Sequence, residues 1–185
     1  MTLDLSAVDL LTEVVRTERL VLRPFRSTDV DAVHRASQDP ETQRWIGNLP
    51  VPYTREDARA FVEDVAMKER ADGLGLSVVI EADGQLVGTG GIYLRGGRLG
   101  PEIGYTIAPW ARRRGYAAEA AHGLAQWGLG LGAPRVHLFV DVANTASQAT
   151  AVRAGFSPEG TVRSCLAYRD GSWGDAVLFG RLPGD

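Results

Sequence analysis

Cysteine is almost absent from this chain: Cys165 is the only one in 185 residues, so no disulfide can close within it. A reducing compartment is the expectation that follows, and Cys165 reads as a packed strand residue in preference to a catalytic thiol. Long apolar runs are missing too. None approaches the ~20 residues needed to cross a bilayer, so no membrane role is expected. Residues 1–16 scatter Asp4, Asp9 and Glu13 among short apolar stretches, without the basic start and continuous apolar centre of a secretion signal. The expected location is the cytoplasm. Positive charge is scarce as well: 20 Lys and Arg against 23 Asp and Glu leave a net charge of -3. A general nucleic-acid binder would be basic over its whole domain, so no nucleic-acid partner is expected and any anion site must be local.

The chain contains 44% hydrophobic and 23% charged residues, a balance that supports one globular domain with a full core. Strand-like alternation over 19–25 ends at Pro24. Ser27, Thr28 and Asp29 supply capping side chains for a helix carrying Val30, Val33 and Ala36. Pro40, Gly47, Pro50 and Pro52 make 39–53 a loop with at most one helical turn, and Thr54 opens a helix ending near Gly73. Strands over 76–81 and 85–93 flank Asp83-Gly84, a strong hairpin signal. A Gly-rich loop, 96–100, leads to a strand over 102–107. A helix from Ala117 to about Leu131, a strand over 136–142, a short helix over 145–154 and two strands over 161–168 and 176–182 complete the chain. The expected fold is α/β, a single mixed, mainly antiparallel twisted sheet of about six or seven strands flanked by about four helices. Residues 1–16 are expected to form an N-terminal tail and 17–182 a single domain.

The most informative segment is 108–123. A strand feeds a Pro-containing turn, then Arg112, Arg113, Arg114 and Gly115, then an alanine-rich helix beginning Tyr116, Ala117, Ala118. Gly115 permits close approach of the backbone to a ligand, and the unpaired N–H groups and dipole of a helix start favour an anion. A nucleotide-hydrolysing P-loop would place Lys and then Ser or Thr after its last glycine; here Tyr116 and Ala117 follow. The GxGxxG dinucleotide pattern is also missing. The segment therefore reads as a cradle that holds a pyrophosphate without cleaving it, or as a basic helix start on a solvated surface.

A second motif lies about 30 residues on, an interval set by the intervening helix and strand. Asn144-Thr-Ala-Ser147 is followed by Gly155-Phe156; read locally, Asn144 caps a helix, Gly155 ends it and Phe156 enters the core. Both motifs, with Arg19-Leu-Val-Leu-Arg-Pro24, Glu102-Ile-Gly-Tyr-Thr-Ile107, Glu119-Ala120 and Glu159-Gly160, run in one order over 17–182. In this the chain resembles the GNAT superfamily of acyl-CoA-dependent N-acyltransferases, and within it the RimJ/RimL type that acetylates N-terminal amines of ribosomal proteins.

The resemblance implies an acyl-CoA N-acyltransferase fold in which the strand of Glu102 to Ile107 splays from its neighbour and binds pantetheine through Thr106 and Ile107. It also implies pyrophosphate contacts from the amides of Arg113 to Ala118 and a pantetheine contact from Asn144. Arg112, Arg113 and Arg114 add positive charge. Ala117 departs from the Gly of many relatives, a common variant. The cosubstrate implied is acetyl-CoA, with no metal, and a homodimer is consistent with the family. Direct transfer needs an amine freed of its proton, a stabilised oxyanion and a protonated thiolate. A backbone N–H near Ile107 suits the oxyanion. Glu102 is the candidate base, with an exposed strand-end carboxylate as the alternative. Ser147 is the candidate donor to the thiolate, with helix capping or a CoA contact as alternatives; many members use a tyrosine near this point, and the chain has none between Tyr116 and Tyr168.

The acceptor the resemblance implies is a protein N-terminal α-amine or a small amine. Aminoglycosides are an alternative if Asp39, Glu41, Glu56 and Asp57 line an acidic cleft, as is transfer of a larger acyl group. A non-catalytic acyl-CoA sensor is the alternative of another class.

Overall fold

The computed structural model describes residues 3–94 and 97–185. Gly96, which opens the expected loop 96–100, and the first two residues of the expected tail lie outside the described residues. The strands are β1 Val15–Arg16, β2 Val21–Arg23, β3 Gly75–Ala82, β4 Gln85–Tyr93, β5 Glu102–Ile107, β6 Val136–Asp141, β7 Ser157–Ala167 and β8 Trp173–Arg181. They form one sheet in the order β1-β2-β3-β4-β5-β6-β8-β7. The helices are α1 Val30–Ser37, α2 Pro40–Trp45, α3, α4 Tyr116–Gly130 and α5 Thr145–Arg153. Helix α3 runs from Arg55–Ala60 through a π-helical stretch, Phe61–Val65, into Ala66–Ala71. No helix among the described residues is long and apolar enough to cross a membrane.

Two apolar cores, one on each face, make this a layered α/β domain. On one face α4, α5 and the residue that caps α5 bury Ala120, Ala121, Leu124, Ala125, Ala151 and Ala154 with Leu76, Val78 and Ile80 of β3. On the other, α1 and α3 bury Val30, Val33, Ala58 and Val62 against Val79 and Leu86. The small residues of α4 are what allow it to lie so close. A Cβ added at Gly123 would stand 2.7 Å from Thr17 Cγ2, and one at Gly128 would stand 2.7 Å from Ile92 Cδ1.

The hairpin at Asp83-Gly84 has the two positive φ values, 50 and 73, that such a turn demands. Ranges for β4 and β5 agree with the expectation residue for residue. Among the described residues, eight strands rather than six or seven, and five helices rather than four, are the differences. The added helix is α2: Asp39 caps it, its carboxylate accepting from Thr42 N at 2.8 Å, and Pro40 sits where a missing N–H costs nothing. The Pro and Gly content of 39–53 thus breaks the chain only after Trp45.

The added strand is β1, so the segment expected as a tail packs on the domain. Leu10 and Val15 are buried, and Val15↔Leu22 and Arg16↔Val21 pair β1 with β2. The fixing point is distant in sequence. Arg70 of α3, 1% exposed, donates from Nε to Leu10 O at 2.6 Å, from Nη2 to Glu13 O at 2.6 Å and from Nη1 to Ser77 O at 2.7 Å.

The chain passes from β5 through α4 to a parallel neighbour, as a strand-helix-strand crossover should. Strands β4 and β5 are in register from Gly88↔Ile107 to Tyr93↔Glu102, and β6 and β8 from Val136↔Arg181 to Asp141↔Ala176. Between β5 and β6 the only register pair is Glu102↔His137. Beyond that point the two strands part, and the gap opens toward the start of α4.

Candidate functional site

The turn before α4 is built to present backbone amides. Arg112 is extended, Arg113 has φ 66, and Gly115, the N-cap, has φ 82 and ψ 0. Left-handed residues at such spacing turn nearby N–H groups toward one concavity, and the start of a 15-residue helix adds its unpaired N–H groups and positive dipole end. The side chains of Arg113 and Arg114 are exposed around it, while Tyr116 is buried and Ala117 and Ala118 are half-buried. From outside, Arg19 braces the turn. Its Nη1 donates to Arg114 O at 3.1 Å, its guanidinium lies 5.1 Å from the centre of the Tyr116 ring, and it pairs with Glu119 at 2.6 Å.

Arg112 does not join its two neighbours. Its Nη2 is ion-paired with Asp39 and bonds Thr42 Oγ1 at 3.0 Å, and its Nε donates to Ile107 O at 3.3 Å. Burial pushes the Asp39 carboxyl up, but the hydrogen bonds from Arg112 and Thr42 outweigh it and hold the group below its ordinary value. The run of three arginines therefore divides: Arg112 ties the end of β5 to the cap of α2, and only Arg113 and Arg114 keep their charge beside the amides.

The second element is the open edge of β5. Ala108 N donates to Val87 O at 2.9 Å, and His137 N donates to Pro101 O at 3.0 Å. In an antiparallel ladder successive residues alternate in the direction of their backbone groups. Thr106 therefore directs its amide and carbonyl toward β4, whereas Tyr105 and Ile107 direct theirs into the gap. Ile107 N–H thus points into the gap between the strands, whereas Thr106, named with Ile107 by the resemblance, turns its own backbone to β4 and has only a side chain to offer.

Alternation also sorts the side chains onto two faces. Ile103, Tyr105 and Ile107 pack toward α4 and α5, which places Glu102 and Thr106 on the opposite face. Glu102, with a side chain 46% exposed, stands 4.0 Å through Oε2 from Nε2 of the buried His137. Nδ1 of that imidazole has no hydrogen-bond partner within range among the described residues. On the other face Asn144 caps α5, its Oδ1 accepting from Ser147 N at 3.0 Å, which leaves the –NH2 group as a donor. Ser147 Oγ lies 3.1 Å from Tyr105 Oη, and Ser147 O lies 3.3 Å from the same atom. Burial raises the phenol's pKa against the opposing pull of Ser147.

Tyr105 had no place in the sequence reading: the chain has no tyrosine between Tyr116 and Tyr168, and the phenol beside Ser147 comes from β5, 42 residues earlier. The signal was present in the strand's own alternation, which sets residue 105 on the α5 side.

An open cleft of about 790 Å³ runs along α4 beside β1, lined by residues that include Arg16, Arg19, His122, Trp127 and Arg153. It touches the amide cradle at Ala118 and Glu119 and does not include the strand gap. Backbone geometry, not this volume, marks the anion site.

His137 gives a pH dependence. Burial, opposed by Glu102, holds its imidazole below the ordinary 6.5. The unfolded chain then takes up a proton there at a higher pH than the folded one, so stability is fully present above about 6.5 and declines as pH falls through that value. Thermal unfolding at pH 7.5 and 5.5 should show a smaller acid loss for His137→Gln than for the unmodified chain; equal losses would exclude the histidine as the cause.

Residues 19–157 match the family model described as acetyltransferase (GNAT) domain. An uncharacterised N-acetyltransferase of Bacillus subtilis (strain 168), YoaA, is 28% identical over 90% of this chain and 94% of its own length. Among solved structures, Mycobacterium smegmatis RimJ in complex with CoA-disulfide is 26% identical with a TM-score of 0.78, covering 92% of this chain and 88% of that one. RimL, a ribosomal L7/L12 α-N-protein acetyltransferase solved with coenzyme A, has a TM-score of 0.80 at 21% identity, with 92% and 98% covered.

Proposed function

The chain belongs to the GNAT acetyltransferase family, and on that premise we propose that it transfers the acetyl group of acetyl-CoA to a primary amine by direct attack in a ternary complex, in the cytoplasm. The observation that carries this reading is the amide cradle of Arg113 to Ala118 beside the parted β5 and β6. The diphosphate of the cosubstrate would accept from those amides, Arg113 and Arg114 would add charge, and the pantetheine arm would lie along β5 toward Asn144. Ile107 N–H is suited to the oxyanion.

Glu102 and Ser147 lie on opposite faces of the gap, which suits a base facing the acceptor and a donor facing the thiolate. Protein N-terminal amines fit this site better than lysines. At pH near 7.5 an α-amine of pKa about 7.8 is roughly one-third neutral, whereas a lysine of pKa about 10.4 is only about one part in a thousand neutral. A single, half-exposed carboxylate is adequate for the first. A polycationic aminoglycoside is less well served, because the four acids that might face it are already engaged. Asp39 holds Arg112, Glu41 accepts from Trp45 Nε1 at 2.6 Å, Glu56 pairs with Arg59, and Asp57 closes a capping box with Thr54.

Calorimetry with CoA and acetyl-CoA, followed by thiol release with peptides of varied N-terminus, polyamines and aminoglycosides, tests the proposal. Binding with no thiol release on any acceptor would favour a sensor over an enzyme, and no binding would end the reading. Glu102→Gln is expected to slow turnover about a hundredfold at pH 6.5, where the amine is mostly protonated, and far less at pH 8.5. An unchanged kcat/KM across that range would remove Glu102 from the mechanism.

A further inference from the structure

Resting on the acetyl-transfer reading, we infer that Tyr105 is the proton source behind Ser147, a positioning residue on β5 that turns the serine hydroxyl toward the leaving sulfur and resupplies its proton. Two contacts place it there. Tyr105 Oη stands 3.1 Å from Ser147 Oγ and 3.3 Å from Ser147 O, so the phenol joins β5 to the first turn of α5 on the face that carries Asn144. The serine is fixed from its other side by Ser147 N to Asn144 Oδ1 at 3.0 Å. The backbone of residue 147 is held at N; the single phenol proton can go to Ser147 O or to Oγ, and when it goes to Oγ the serine's own proton is free to turn toward sulfur.

The chemistry explains why a phenol is needed. An aliphatic hydroxyl is a far weaker acid than a thiol, so Ser147 acting alone would have to become an alkoxide to protonate a thiolate. A phenol, with an ordinary pKa of ~10 against ~8.5 for a thiol, is a far stronger acid than an aliphatic hydroxyl, although burial raises Tyr105 above its ordinary value. In the full step the amine nitrogen bonds to the thioester carbon and the carbonyl becomes an oxyanion. When that intermediate collapses the C–S bond breaks with its electron pair on sulfur. Sulfur takes the Ser147 Oγ proton, Oγ takes the Tyr105 Oη proton, and the phenolate recovers a proton from solvent. The ammonium sheds one proton to solvent before attack, and the second proton, lost from nitrogen on the Glu102 face after the N–C bond forms, balances the one taken up by sulfur. Burial keeps the phenol protonated until the thiolate forms.

The test is steady-state turnover of acetyl-CoA with the acceptor panel described above, beside calorimetric CoA binding and thermal unfolding. Tyr105→Phe keeps the ring that packs on the core and removes only the hydroxyl. It is expected to lower kcat about tenfold or more, with KM for acetyl-CoA and Kd for CoA unchanged within about twofold. Ser147→Ala should fall as far, and adding Tyr105→Phe to it should cost less than about twofold more, because the two act in series. Incorporation of 3-fluorotyrosine at 105, which keeps the hydroxyl, should hold kcat within about twofold of the unmodified chain.

If the unmodified chain turns over and Tyr105→Phe keeps its kcat, the relay is wrong while acetyl transfer stands. Fully multiplicative effects of the two substitutions, or a fluorotyrosine variant as slow as phenylalanine, would equally overturn it. An unmodified chain that binds no acetyl-CoA or releases no thiol removes the acetyl-transfer reading itself, and the relay with it.

Discussion

Gly115→Val should bind CoA at least about a hundredfold more weakly than the unmodified chain while remaining folded. Space is not the reason, since a Cβ at this position would meet only the flexible end of Arg19, Nη2 at 3.4 Å. The reason is φ 82. A β-branched residue held there carries about 1–3 kcal/mol of strain, which the turn relieves by leaving the left-handed region. The amides of 113–116 then no longer converge. Losing two hydrogen bonds to a charged diphosphate, each about 1.5–3 kcal/mol, corresponds to about a hundredfold or more in Kd. Calorimetry with CoA measures this directly, and circular dichroism reports the fold. A folded valine variant with undiminished affinity would move the diphosphate away from this turn.

The largest expected effect on stability comes from Arg70→Met, a loss of about 3 kcal/mol. Burial lowers the Arg70 guanidinium to about 10, so it is still charged at neutral pH. Its partners are three main-chain carbonyls, Leu10 O, Glu13 O and Ser77 O, rather than a carboxylate. Methionine fills much of the same volume but donates nothing, and each buried carbonyl left without a donor costs about 1–3 kcal/mol less whatever water can enter. For a domain of this size the midpoint of thermal unfolding should fall by roughly 6–12 °C. Arg70→Lys should recover little, because one ammonium cannot reach three carbonyls set around a planar fork. The segment before β1 should become the first site of protease attack. A shift below about 2 °C would show that the guanidinium is not what holds it.

These two residues mark what could and could not be read from the chain. Gly115, Glu102 to Ile107 and Asn144 were legible because their meaning is local: a turn, an alternating strand, a cap. Segment 1–16 read as a tail because its strand is only two residues long and its fixing point lies 60 residues away in α3. Helix α2 was hidden by the prolines around it, although Asp39-Pro40 is a good helix start. Arg112 looked like its neighbours in the sequence, and only a contact 73 residues distant takes it out of the group. Tyr105 carried its place beside α5 in its parity along the strand, although 42 residues separate it from Ser147.

That parity has a consequence for how this strand can change. Glu102 and Tyr105 are three positions apart and project to opposite sides of the sheet, the two sides on which the proposed mechanism places the amine and the sulfur. Loss or gain of a single residue between them would bring both onto one side and leave the other bare. The stretch behaves as a reading frame: its letters can be exchanged, but its count cannot.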